Sequence, residues 1–360
     1  MNRSVVVEAP GRFRLAESAV PGPGHGEALV RVAAAGLCGS DRELYEGSRP
    51  PGFVSYPIVP GHEWSGTVVA VGEGTDPALT GAKVVGEGYR GCQRCARCRD
   101  GAPNLCANGY DETGFTRPGA FADHLLVPAR LLHVLPEDAD LRAAALLEPA
   151  AVIAAAVRHA APRPGETAAV VGAGTLGMLA LQLLAAASPS LLVAIDPRPG
   201  RAEPALAAGA TTVCLPGEPG EAAFDVVVET AGRPGTARAA VALARRGGRV
   251  VLTGITGDAS DAVPTTLLVT RALTVHTVFG AGPADWAYAV RAFGTGVLRP
   301  APLVTHELPL AGFETALKLS AAPDAGKVLL LPDLPDLPDL PDAPDLPDVP
   351  DVPTSPTREV

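Results

Sequence analysis

At 360 residues, 47% of them hydrophobic, the chain is too long for one ordinary core and suits a globular protein of two domains. Its net charge of −10 carries little message once located, because residues 331–360 hold seven Asp, one Glu and one Arg and supply −7 of it. No basic stripe with interleaved aromatics marks a nucleic-acid surface, and no apolar run reaches the ~20 residues that would span a bilayer, so neither nucleic acid nor membrane is an expected partner. Residues 1–10 lack the basic-then-apolar pattern of a signal peptide, and a cytoplasmic protein is expected.

From Ser4 to about Leu147, short apolar runs at residues 28–34, 67–71 and 121–127 are separated by Gly and Pro clusters, which predicts a β-rich domain. Near Pro149 the texture changes. Ala-rich, helix-length stretches there alternate with compact strands at residues 168–171, 191–195, 224–228 and 249–252, the pattern of a parallel, doubly wound α/β sheet. Beyond about Val275 come mixed elements, among them an amphipathic stretch at residues 284–293 and a closing strand at 328–330. The last thirty residues repeat Pro-Asp seven times between Pro332 and Asp351. With every third residue lacking an amide donor, neither a helix nor a central strand can propagate, and a disordered, extended polyproline-type tail is expected over 331–360.

Three constellations carry chemistry. Cys92, Cys95, Cys98 and Cys106 are spaced by two, two and seven residues, which suits one tetrahedral zinc at about 2.3 Å from four thiolates. Four sulfurs leave no open position, so this lobe at residues 92–106 is scaffold; crowded into one loop, these cysteines read poorly as a disulfide framework. The second constellation, Gly172-Ala-Gly174-Thr175-Leu176-Gly177, follows an apolar strand and opens an apolar helix, the setting in which such glycines bind a dinucleotide pyrophosphate. Asp196, at the end of the next strand, can accept hydrogen bonds from the adenosine ribose and would repel a 2′-phosphate, so NAD is expected; Arg198 and Arg201 keep NADP as the alternative. In the third, Cys38, His62 and Glu148 offer a thiolate, an imidazole and a carboxylate, which with one position left over make an open zinc site. Cys214, flanked by Val213 and Leu215, reads as a buried small hydrophobe.

The order Cys38-Gly-Ser40-Asp41, Gly61-His62-Glu63, four-cysteine lobe, Glu148-Pro149 and Gly172-x-Gly174-x-x-Gly177 resembles the zinc-containing medium-chain alcohol dehydrogenases over about residues 1–330. The resemblance implies a GroES-like catalytic domain at residues 1–147 and 275–330 and a Rossmann domain at 148–274, with two zinc ions per chain and the active site between the domains. It implies that Cys38 and His62 are zinc ligands, that Glu148 takes the third-ligand position, and that Glu63 is a nearby carboxylate able to enter the zinc shell. Asp41 would orient His62 through its second nitrogen. The metal then holds the substrate hydroxyl and lowers its pKa, hydride passes to the nicotinamide, and Ser40 accepts the alcohol proton. Glu43 stands where many polyol dehydrogenases have His, so the relay beyond Ser40 departs from the pattern.

Glu148, where ethanol-type enzymes have Cys, points to the polyol and threonine dehydrogenase branch. More narrowly, residues 38–47, 56–67 and 114–120 look like the 2-deoxy-scyllo-inosamine dehydrogenases, which oxidise a ring hydroxyl of an aminocyclitol to the ketone for later transamination in aminoglycoside antibiotic biosynthesis. Such a substrate is small, polar and cationic, and Glu43, Asp111 and Glu112 are candidate partners for it, with surface solvation the competing reading for at least two of the three. The alternatives are another polyol, sugar or threonine dehydrogenase, or a non-catalytic zinc and nucleotide-binding protein. Relatives of this kind are commonly homodimers or homotetramers.

Overall fold

The computed structural model describes residues 1–257 and 261–332, and the Pro-Asp repeat from residue 333 onward lies outside the described residues. Two large sheets organise the fold. The first is mixed, with strands in the order Val304–Leu308, Lys327–Leu330, Glu27–Gly36, Glu63–Val71, Lys83–Gly86 and Leu132–Val134, and with His124–Pro128 also paired to Glu27–Gly36. The second is wholly parallel, in the order Thr212–Cys214, Leu191–Ile195, Thr167–Val171, Phe224–Glu229, Ala244–Leu252 and Thr274–Thr277. Numbered along the chain, that second order is 3-2-1-4-5-6, the doubly wound arrangement in which ligands bind where the order reverses. GroES-like and Rossmann architectures are thus both present.

Strand composition explains the layering. In the parallel sheet, Val170, Val226, Val228 and Val251 face one core while Ala169, Val227 and Val250 face the other. Successive residues of a strand point to opposite faces, so a sheet covered on both sides must be apolar throughout. Each such valine contributes roughly 1.5–3 kcal/mol over its exposed state. Cys214 ends the outer strand of this sheet and packs, partly buried, against the second of those cores.

The chain leaves the parallel sheet later than residue 275. Strand Thr274–Thr277 pairs with Ala244–Leu252 as the sheet's last strand, and helix Pro283–Gly294 buries Trp286 and Ala289 in the core shared with helix Leu147–Ala160. A parallel sheet needs both faces covered, and this segment covers one of them. Only at Val304–Leu308 does the chain return to the mixed sheet, and Lys327–Leu330 then pairs antiparallel with Glu27–Gly36. No helix among the described residues is long and apolar enough to cross a membrane.

Candidate active site

The glycine turn meets both demands placed on it. Gly172 has φ +94°, a left-handed conformation that favours glycine, and a Cβ on Gly177 would lie 1.8 Å from the Gly172 carbonyl oxygen. Gly174 caps helix Thr175–Ala185, and a side chain there would enter open space, the cradle a pyrophosphate would fill. A cavity of about 890 Å³ runs beside Gly172 and Gly174 past Asp196 and Arg198. It shares Gly174, Thr230 and Ala231 with a second cleft of about 490 Å³, lined also by Thr175 and Leu176, that holds Cys38, His62 and Glu148. One continuous trough therefore joins the dinucleotide turn to the candidate metal donors.

Asp196 stands where a ribose would be met, but both its oxygens are already engaged. Oδ2 accepts from the Ala173 amide at 2.8 Å and from Arg198 Nη2 at 2.7 Å, and Oδ1 from Arg198 Nε at 2.8 Å. Burial would raise its pKa, yet the Arg198 hydrogen bonds and the Ala173 amide hold it below the ordinary aspartate value. Arg201 does not line the cavity. It donates to the carbonyls of Pro323 at 3.1 Å and Ala325 at 2.7 Å; Arg198, which also donates to the Pro323 carbonyl, and Arg233 are the arginines that line the cavity.

At the far end of the trough, Cys38 precedes helix Gly39–Glu46, and its amide donates to Asp41 Oδ2 at 2.9 Å. Asp41, fully buried, turns its other oxygen toward His62 Nδ1 at 3.5 Å. Burial pushes the His62 pKa down, but the Asp41 charge and hydrogen bond outweigh it and the net direction is well upward. Cys38, His62 and Glu63 each offer a donor atom within 4.8 Å of the others, a spread that one zinc at about 2.0–2.3 Å from each can draw together. The carboxylate gathered with the thiolate and imidazole is therefore Glu63, and Glu148 stands outside that cluster. Glu148 lines the same cleft from the first turn of helix Leu147–Ala160, where burial, aided by Glu63, raises its pKa to about 7 against the opposing pull of His62 and Lys327. Ser40 Oγ lies 3.9 Å from Cys38 Sγ and borders the cleft.

Lys327 is a member of this site that the sequence reading passed over. Its Nζ lies 2.5 and 2.8 Å from the two oxygens of Glu63 and donates to the Leu37 carbonyl at 3.0 Å, all buried. Three adjacent strands build the pair: Gly36 is opposite Glu63 on one side and Leu329 on the other. A Cβ on Gly36 would come within 2.4 Å of Glu63 Oε2, so a bare backbone is required between the two charges. Burial lowers the Lys327 pKa, and the charge of Glu63 more than reverses this, leaving it raised. The only sequence signal was scarcity, since lysine occurs at just three positions, Lys83, Lys318 and Lys327.

The cysteine lobe forms a second cluster. The sulfurs of Cys92, Cys95, Cys98 and Cys106 lie within 4.8 Å of one another, and all four residues are free cysteines. Backbone amides point at the sulfurs, Cys95 N to Cys92 Sγ at 3.4 Å and Cys98 N to Cys95 Sγ at 3.5 Å, and Asn108 Nδ2 adds a donor to Cys92 at 3.1 Å. Amide donation holds both the Cys92 and Cys95 thiols below their ordinary range, as suits thiolate ligands. The donor set fits a closed zinc site.

Residues 24–137 match the family described as alcohol dehydrogenase GroES-like domain, and residues 175–295 match the family described as zinc-binding dehydrogenase. Among curated proteins, L-galactonate-5-dehydrogenase of Escherichia coli K12 is 32% identical over 329 residues, 85% of this chain and 92% of that one. L-threonine 3-dehydrogenase of Bacillus subtilis 168 is 31% identical over 331 residues, 88% of this chain and 94% of the other. Similar solved structures include a zinc-binding dehydrogenase of Sinorhizobium meliloti 1021 bound to NADP, with TM-score 0.86, 29% identity and coverage of 92% and 99%. An alcohol dehydrogenase of E. coli CFT073 complexed with NADH gives TM-score 0.85, 27% identity and the same coverage.

Proposed function

The chain belongs to the zinc-containing medium-chain alcohol dehydrogenase family, an oxidoreductase using zinc and NAD, and from that premise we propose that it oxidises a secondary ring hydroxyl of an aminocyclitol, 2-deoxy-scyllo-inosamine. The observation that carries the dehydrogenase reading is the single trough from the glycine turn to the Cys38, His62 and Glu63 donors. When bound there, zinc supplies a Lewis acid that lowers the pKa of a hydroxyl, and NAD supplies the hydride acceptor.

The remaining steps belong to the chain. Asp41 Oδ1 stands 3.5 Å behind His62 Nδ1 and would orient the ring through it, leaving the other ring nitrogen to serve as the donor. Ser40, at the cleft wall, would accept the hydroxyl proton while releasing its own toward solvent. Leu176 and Val278 make part of the wall apolar, which limits water at the reacting carbon. Ser40→Ala is expected to lower kcat by about 10²-fold with zinc content unchanged, measured by steady-state kinetics and metal analysis. An unchanged kcat would remove Ser40 from the relay.

Support for an aminocyclitol comes from residues 38–47, 56–67 and 114–120, and from a cleft in which Glu43, Glu63, Glu112 and Glu148 outnumber Arg49 and Lys327. In this role the ketone product would go to a transaminase, within aminoglycoside antibiotic biosynthesis. The second reading is a polyol, sugar-acid or threonine substrate, supported by the relatives that carry those activities in their names. An NADH-formation screen over aminocyclitols, sorbitol, sugar acids, threonine and simple alcohols separates the readings. Highest kcat/KM with the aminocyclitol is expected, and preference for any of the others would replace it.

A further inference from the structure

Resting on the aminocyclitol reading, we propose that Glu112 is the residue that selects the substrate by accepting its ammonium group. Glu112 is 3% exposed, borders the cleft, and its Oε2 has no hydrogen-bond partner among the described residues. A buried carboxylate left in that condition is costly unless a donor arrives.

Its nearest cation does not meet the need. Arg49 Nη2 stands 3.9 Å from Glu112 Oε2, beyond hydrogen-bond range, because the guanidinium is committed elsewhere. Nη2 donates to Tyr110 Oη at 2.8 Å, Nε to the Phe53 carbonyl at 2.9 Å, and the group lies over the Phe115 ring at 3.7 Å. The backbone of Glu112 is equally fixed: its amide donates to Thr116 Oγ1 at 2.8 Å, and the amides of Thr116 and Arg117 donate to its carbonyl at 3.0 Å. A preset acceptor without a donor, on rigid backbone, at the wall of a substrate cleft, is what recognition of a ligand group requires.

Charge decides which group. Glu63 is neutralised by Lys327, and Arg49 is shared between Glu43 at 3.8 Å and Glu112. That leaves Glu112 Oε2 as the acceptor without a close cation, which an ammonium can meet with a full charge and three donors where a hydroxyl offers one. Tyr89 lines the same cleft, and its aromatic ring adds to the attraction for a cation. The other two acidic candidates are placed otherwise. Asp111 pairs with Arg117 at 2.8 and 3.2 Å, and the Glu43 side chain is 49% exposed.

The test compares kcat/KM for the aminocyclitol and for the cyclitol with hydroxyl in place of the amine, using zinc- and NAD-loaded wild type and Glu112→Gln. Wild type is expected to prefer the amine by about 10- to 100-fold, and the variant to lose that preference through the KM for the aminocyclitol. A variant that keeps the preference overturns the role of Glu112 while the substrate reading stands. Equal kcat/KM on the two cyclitols in wild type also overturns it, and needs no variant to fold. A wild type inactive on the aminocyclitol but active on polyols sinks the substrate reading itself, and the proposal with it.

Discussion

Replacing His62 by Ala is expected to lower kcat/KM by at least about 10³-fold and to remove one of two zinc ions per chain, leaving the other in the cysteine lobe. The imidazole is 5% exposed and backed by Asp41 at 3.5 Å, a fixed donor that a mobile water does not match. With two protein donors left, an open tetrahedral site loses the ion, and the hydroxyl keeps a pKa far above neutrality. Metal analysis beside steady-state kinetics checks this, and a variant that retained both ions with little loss of rate would refute the assignment. Two companion variants identify the third donor. Glu63→Gln should weaken zinc retention sharply, whereas Glu148→Gln should keep the ion, because only Glu63 falls within the 4.8 Å cluster with Cys38 and His62.

Lys327→Met is expected to destabilise the zinc-free protein by about 3–5 kcal/mol, the typical result of leaving one partner of a buried pair unpaired. Glu63 is 1% exposed and has no second cation on its oxygens among the described residues, and the Leu37 carbonyl loses its donor at the same time. The loss should shrink when zinc is loaded, since the ion then serves as the counter-charge of Glu63. Thermal or denaturant unfolding with and without metal measures both values. Equal losses in the two states would mean that Glu63 does not reach the ion.

The fold was largely legible because strand and helix periods are local. Residues 28–34, 191–195 and 224–228 are apolar runs bounded by turn formers, and they lie within strands Glu27–Gly36, Leu191–Ile195 and Phe224–Glu229. The site was legible where spacing decides, as in the cysteine lobe and the glycine turn. It was not where register decides. Motif order puts both Glu148, as third ligand, and Glu63, as a nearby carboxylate, within reach of the metal, and only their placement in the fold separates them. The strand begins at Glu63, His62 lies in the loop before it, and both reach Cys38. Lys327 is 264 residues from Glu63, a separation no local pattern can bridge. Arg201, close in sequence to Asp196, donates to the carbonyls of Pro323 and Ala325, a placement that local spacing does not reveal.

The late closure of the mixed sheet bears on how the enzyme is made. Strand Glu27–Gly36 leaves the ribosome early, but Lys327–Leu330, which pairs with its end, follows only after the whole parallel sheet. At roughly 5–20 residues per second the nascent first body waits on the order of 10–50 s with that stretch of strand unpaired. Throughout that interval it is a template for aggregation, and Glu63 has no lysine beside it. Metal captured by the half-built centre would give Glu63 a counter-charge before its lysine arrives.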